Sequence, residues 1–156
     1  MLFSRHQRMS SRRIVLLTFY TLSIFLSILL FFFAGIYCRT MLSRCSITWN
    51  ENNRAYAQIF PMVVSCFTLF LSTAWLISNS CYLDSTCMHE YNCLEFPTAV
   101  FCSLMCGICA VIEIHYSFDY SYLYWSEKWT FAAANAVALV FLHAGTFKSS
   151  NQTLNS

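Results

Sequence analysis

The amino-acid sequence predicts an all-α integral membrane protein, an up-down bundle of four transmembrane helices, and three observations carry that expectation. Ile14 to Tyr37 is rich in Leu, Ile and Phe and holds no charged residue. At about 1.5 Å per residue it is about 36 Å long, enough to cross a hydrocarbon core of about 30 Å with tilt to spare. Three more apolar runs follow, near Ile59 to Ile77, Pro97 to Ile114 and Thr130 to Phe147. The composition agrees, since 58% of the 156 residues are hydrophobic and 10% are charged, against about 25% charged in a typical water-soluble domain. Too few polar residues remain to coat a surface in water, so lipid is the expected solvent for most of the chain.

Taken in order, residues 1–13 form a basic segment with Arg5, Arg8, Arg12, Arg13 and no acid. The positive-inside rule keeps such a segment cytosolic. A secretory signal peptide has a similar outline, but its apolar region is only about 7–15 residues long and ends at a small-residue cleavage site. An uncleaved first span is therefore expected over residues 14–38. A polar connection with Arg39, Arg44, Glu51 and Arg54 leads to a second span at 57–79, with Pro61 near its start, where a missing backbone donor costs nothing. Asn79 to Glu95 reads as a polar, acidic loop with Asp84, Glu90 and Glu95, and Pro97 opens a third span at 96–116. The fourth, at 130–147, is just long enough to cross. Lys148 ends the membrane domain (14–148), and residues 149–156 form a short Ser/Asn/Thr tail.

Four spans place both termini on one side. With that side cytosolic, it holds five of the nine Lys and Arg, and Arg39, Arg44, Arg54 and Lys128 lie outside. The N-terminal cluster sets the expected orientation because the first helix usually dominates insertion, while the Arg-bearing first loop argues the other way. Backbone in lipid must satisfy its own hydrogen bonds, so helices are expected. The many short alternating segments of a barrel are absent.

Several function classes drop out. A net charge of +2 without a basic, aromatic-interleaved stripe gives no case for nucleic acid. No nucleophile elbow, phosphate-cradling glycine loop, zincin helix or paired catalytic carboxylates occur, so no catalytic residue and no cofactor is expected. Of nine cysteines, Cys66, Cys102, Cys106 and Cys109 lie in apolar runs and read as small packing residues. Cys81, Cys87, His89 and Cys93 have ligand chemistry but not the paired spacing of a zinc site, so no metal is expected. Cys81, at the end of a span, is a palmitoylation candidate if its loop is cytosolic. Cys38 and Cys45 are the disulfide candidates under the same orientation, and the reverse orientation would move oxidation to the second loop.

Ser103, Gly107 and Ala110 on the third span, and Ala132 and Ala136 with Ala134 and Ala138 on the fourth, have the spacing that lets helix backbones approach closely. Packing within the monomer is the first reading and self-association the second. Glu113 and Asn135 fall at similar depths on adjacent spans and are expected to meet as an intramembrane polar pair, as a clasp or as part of a proton or ion path. His115 and His143 read as interfacial residues. Tyr116, Phe118, Tyr120, Tyr122 and Tyr124 alternate with small or polar residues and precede Trp125 and Trp129, suggesting an extended outer loop with one aromatic face. That face either anchors at the membrane surface or receives a partner protein. Asn151-Gln152-Thr153 is a glycosylation acceptor that a cytosolic tail would leave unused.

Phe60-Pro61-Met62-Val63-Val64 at the second span, Leu94-Glu95-Phe96-Pro97 before the third and Trp129-Thr130-Phe131-Ala132-Ala133-Ala134 at the fourth resemble the MARVEL-type four-span membrane proteins. The likeness covers roughly the last two thirds of the chain and lies in hydropathy and small residues. It implies cytosolic termini and a part in membrane apposition, vesicle trafficking or membrane organisation, without enzyme activity and with no functional residues to transfer. The short first loop lacks the long Trp- and Cys-bearing form of claudin-like tetraspans. The expected partners are the lipid bilayer and either a second copy or a larger membrane protein, at the plasma membrane or in secretory-pathway vesicles. The alternatives are an auxiliary subunit of a channel, transporter or receptor, or a small proton- or ion-linked transporter using Glu113.

Overall fold

A computed structural model describes the backbone of residues 2–39, 44–47, 56–81, 88–119 and 126–154, with side chains over 14–36, 56–80, 94–119 and 127–146. Helix α1 (Leu2–Gly35) runs into a two-stranded antiparallel ribbon, β1 (Ile36–Arg39) and β2 (Arg44–Ile47). A single 3-10 turn, Tyr56–Gln58, leads into α2 (Ile59–Cys81). Helices α3 (Met88–Asp119) and α4 (Ser126–Leu154) complete the described chain. Four stretches are long and apolar enough to span a bilayer: Ile14–Gly35, Tyr56–Ser80, Leu94–Asp119 and Glu127–Thr146. The fold is an all-α four-helix bundle, and the chain is a multi-pass membrane protein.

The span limits differ from the sequence expectation by at most three residues. The first ends at Gly35 because the backbone turns there into the ribbon, which the sequence did not announce. The third is longer at both ends. Helix α3 already begins at Met88 and carries Pro97 in its interior, not at its start. Residues 88–95, expected as loop, are therefore helical. Beside the proline, the Thr98 hydroxyl lies within bonding distance of the Leu94 (2.8 Å) and Glu95 (2.9 Å) carbonyls and helps satisfy the backbone there. Thr18 and Thr21 turn their hydroxyls back onto the carbonyls of Ile14 and Leu17, both at 2.8 Å, so neither is left unpaired in lipid.

Buried residues recur at helical spacing on every span: Tyr20, Ser23, Ser27, Leu30 and Ala34 on α1, and Val64, Ser65, Thr68 and Ser72 on α2. Glu95, Ala99, Cys102, Cys106, Cys109, Glu113 and Tyr116 mark the inner face of α3, and Ala132, Ala136, Leu139 and His143 that of α4. Most are small or polar. The large apolar side chains point outward instead, with Phe70 70% and Phe141 71% exposed. A monomer in water rarely exposes so much apolar surface, whereas in lipid small residues inside and large ones outside are the stable sorting.

Helix α4 packs against α3 and α1, and α1 packs against α2; the α2–α3 seam is the thinnest of the ring. Ser23, in the first half of the first span, touches His143, near the end of the fourth. The bundle thus has a tail end, where α1 starts and α4 finishes, and a ribbon end, where β1 and β2 lie.

Candidate functional site

Two buried polar centres, one toward each end, are the features on which chemistry can be placed. At the tail end the Tyr20 hydroxyl donates to Oε1 of Glu95, joining α1 to α3. Ser23 Oγ lies 2.8 Å from Ser72 Oγ and 3.2 Å from His143 Nε2, so one hydroxyl links α1, α2 and α4. Trp75 Nε1 donates to Thr98 Oγ1 at 3.1 Å across the thin α2–α3 seam. Tyr20, Ser72, Trp75, Glu95, Thr98, Cys102 and His143 line a cavity of about 10 Å³, roughly the space one water needs. One turn further toward the ribbon end, Ser27 Oγ meets Thr68 Oγ1 at 3.0 Å. Thr68 gives its own proton to the Ser65 carbonyl, so Ser27 is the donor of that pair.

The second centre is smaller. Gln58 Nε2 donates to Glu113 Oε2 at 3.3 Å, and both side chains are 0% exposed. This corrects the expected Glu113–Asn135 pair. Asn135 turns its amide back to the Phe131 carbonyl on its own helix, at 2.7 Å, because the inward stripe of α4 runs through Ala132 and Ala136 and leaves position 135 to one side.

The other candidates sort as follows. Ala110, Ala132 and Ala136 are buried in one cluster with Cys106, Cys109 and Leu139, so the small-residue faces of α3 and α4 meet inside the monomer. Ser103 Oγ donates to the Val140 carbonyl at 3.3 Å, and Gly107 faces Val140. Tyr116 and Phe118 do not form the extended aromatic strip. Both are still in α3, where a two-residue step turns the side chain about 200°. Tyr116 is accordingly buried against Trp129, with ring centroids 5.4 Å apart, and Phe118 is exposed. Tyr120, Tyr122, Tyr124 and Trp125 lie outside the described residues. His115 is exposed as expected and pairs with Asp119 at 3.3 Å, whereas His143 is buried, not interfacial. The ribbon register sets residues 38 and 45 directly opposite each other, while the side chains of Cys38, Cys45 and Cys81 fall outside the described ones. Among the described residues no group of three or more His, Cys, Asp or Glu is placed to hold a metal.

Sequence reasoning missed Tyr20, Ser23, Gln58, Ser72 and Glu95. A signal existed for the serines: Ser23 and Ser27 stand four apart on one face of the first apolar run. Glu95 was hidden by the proline two residues on. These centres define a four-span membrane protein whose interior polar groups hydrogen-bond from helix to helix. The chain matches no protein-family model, no curated protein and no solved structure.

Proposed function

We propose that this chain is a non-enzymatic membrane protein of MARVEL-like, tetraspan type, acting in membrane organisation, vesicle trafficking or membrane apposition, with both termini cytosolic. It works at the plasma membrane or in secretory-pathway vesicles. One observation carries the reading: the polar interior is tied helix to helix through Ser23, Ser27, Thr68, Ser72, Glu95 and His143, while the outer faces present large apolar side chains. A bundle closed on itself in this way offers partners its lipid-facing surface and its end loops. Because the small-residue faces of α3 and α4 are used inside the monomer, self-association runs through the larger outward side chains. On this orientation Cys38 and Cys45 form a disulfide in the outer ribbon, and Cys81 is palmitoylated at the inner face.

The test is reconstitution of the purified chain in liposomes. Lateral clustering or vesicle adhesion by the protein alone supports the proposal. A persistent monomer that instead captures one larger membrane protein in fixed ratio overturns it in favour of an auxiliary subunit. The feature favouring that second reading is Phe118, 76% exposed at the ribbon end, since exposed aromatics often anchor interfaces. Glycan-acceptor scanning fixes the orientation independently: a sugar on Asn151 reverses it.

A further inference from the structure

Among the described residues, two buried side-chain oxygens lack the partners that such atoms require. Oε1 of Gln58 and Oε1 of Glu113 are enclosed and receive no hydrogen bond, although the same two side chains are joined through Nε2 and Oε2. An unpaired buried acceptor costs about 1–3 kcal/mol, and here the two orphans belong to a single pair. An ionised carboxylate only accepts, so a charged Glu113 has nothing to offer the amide oxygen; a carboxylic acid has one O–H to donate. Among the described residues no Lys, Arg or His nitrogen lies within ion-pair distance of the carboxyl. The one ion pair among the described residues is His115–Asp119, on the exposed side of the same helix. A metal ion would need more ligands than this pair supplies. A proton needs one oxygen and no volume.

We infer that Gln58 and Glu113 form a proton-binding site at the α2–α3 seam. Glu113 Oε1 takes one proton from a hydronium ion of the aqueous phase, an O–H bond forming as the hydronium's breaks to leave water. It donates that proton in a hydrogen bond to Gln58 Oε1, while Gln58 Nε2 continues to donate to Glu113 Oε2. No other bond forms or breaks, and the buried negative charge is removed. The pair then makes two reciprocal hydrogen bonds, and both orphans are satisfied.

The location gives the proton a consequence. The thinnest seam of the bundle is held by this pair toward the ribbon end, by the Phe67–Phe101 ring contact midway, and by Trp75–Thr98 and Asn79–Glu95 toward the tail end. When the proton leaves, an unpaired charge faces an amide oxygen, and parting α2 from α3 to admit water relieves it. The closed seam therefore binds the proton more tightly than the open one, and alkaline conditions favour opening. Cys109, one turn deeper on α3, and Tyr116, one turn nearer its end, are buried and carry no charge at neutral pH. Helix α1 and α4 supply Leu30, Ala34, Ala132 and Ala136 to the adjoining core. In the 3-10 turn before α2, Tyr56 is exposed. At the start of α4, Glu127 is exposed, and Lys128 is half-buried and not within ion-pair distance of Glu113. The inference requires the four-helix bundle alone and stands apart from the proposed function.

The experiment uses the full chain in lipid nanodiscs. Infrared spectra across neutral and alkaline pH, in H2O and D2O, read protonated carboxyl groups, with Glu95→Gln identifying the contribution of the other buried acid. A protonated-carboxyl band at neutral pH that is lost in Glu113→Gln and moves in Gln58→Leu is expected. Maleimide labelling of native Cys109, resolved by peptide mass spectrometry, reads the seam. Labelling should rise with pH more steeply in the wild type than in Glu113→Gln, which corrects for thiolate formation. An acid band indifferent to Glu113→Gln, or identical labelling profiles, overturns the inference. If Glu113→Gln does not fold, the Gln58→Leu spectrum decides: a shifted band supports the site, and an unshifted one overturns it.

Discussion

The α3–α4 and α1–α2 seams hold helices together by different means inside one small bundle. Between α3 and α4 the buried contact is one of shape: Cys106, Cys109, Ala110, Ala132 and Ala136 are short, and Ser103 reaches a backbone carbonyl of the opposite helix. Ser117 and Thr130 pair their hydroxyls outside the core, at the exposed ribbon end. Between α1 and α2 hydroxyls meet directly, Ser23 with Ser72 and Ser27 with Thr68. Lipid gives helices no hydrophobic reason to associate, so close packing and interhelical hydrogen bonds are what remain. A seam built on shape should fail when a side chain is too large. One built on hydroxyls should lose little when a single hydrogen bond is removed.

The comparison breaks or holds on substitutions in and beside the two seams. The largest effect is expected from Ala136→Leu, fully buried in the α3–α4 cluster, where overpacking should cost about 3 kcal/mol or prevent folding. Thermal unfolding in detergent measures it, and a loss no greater than that of Ser27→Ala would refute the distinction. Next is Tyr20→Phe, which keeps the ring but removes the phenol donor to buried Glu95, leaving the Asn79 side chain bonded to it, and should cost about 1–3 kcal/mol. Glu95→Gln should be milder in the same assay, because the amide oxygen still accepts. A double-mutant cycle on Ser27→Ala and Thr68→Ala should give a coupling of about 0.6 kcal/mol, the scale measured for such pairs in membranes. A coupling several times larger would make the α1–α2 seam the stronger glue.

The smallest effect is expected at Gly107. A Cβ there would sit 4.0 Å from Val140 Cγ2, an ordinary contact, so Gly107→Ala should gain about 0.5 kcal/mol from helix propensity. Gly35 differs, since a Cβ would come within 2.6 Å of the Met62 side chain. Of Gly35 and Gly107, the one outside the expected small-residue motif is the more constrained.

The four spans were legible because length and absence of charge are properties of a segment alone. The polar interior was not, for reasons that differ by residue. Depth along the bundle correctly placed Glu113 toward the ribbon end, but depth says nothing about rotation around a helix. Asn135 was the partner expected at that depth, but its rotation turns it back onto its own helix, and Glu113 pairs instead with Gln58, which the sequence reading passed over. Glu95 was assigned to a loop because Pro97 looked like a helix start, whereas α3 simply continues through the proline. Tyr116 and Phe118 fitted a period of two only because helical and extended periods are hard to separate over a few residues. The hydroxyls of Ser23, Ser27, Thr68 and Ser72 scarcely alter hydropathy, so a scan for apolar length passes over them.

The outward placement of the bulkiest side chains has a consequence for how the molecule is made. A soluble protein becomes safer as it matures, because its sticky groups vanish from view. Here completion leaves Phe25, Phe67, Phe70, Phe131 and Phe141 as available as they were at synthesis. Shelter must come from surrounding acyl chains at every stage, from ribosome to destination, and a finished copy stripped of them is as prone to clump as an unfinished one.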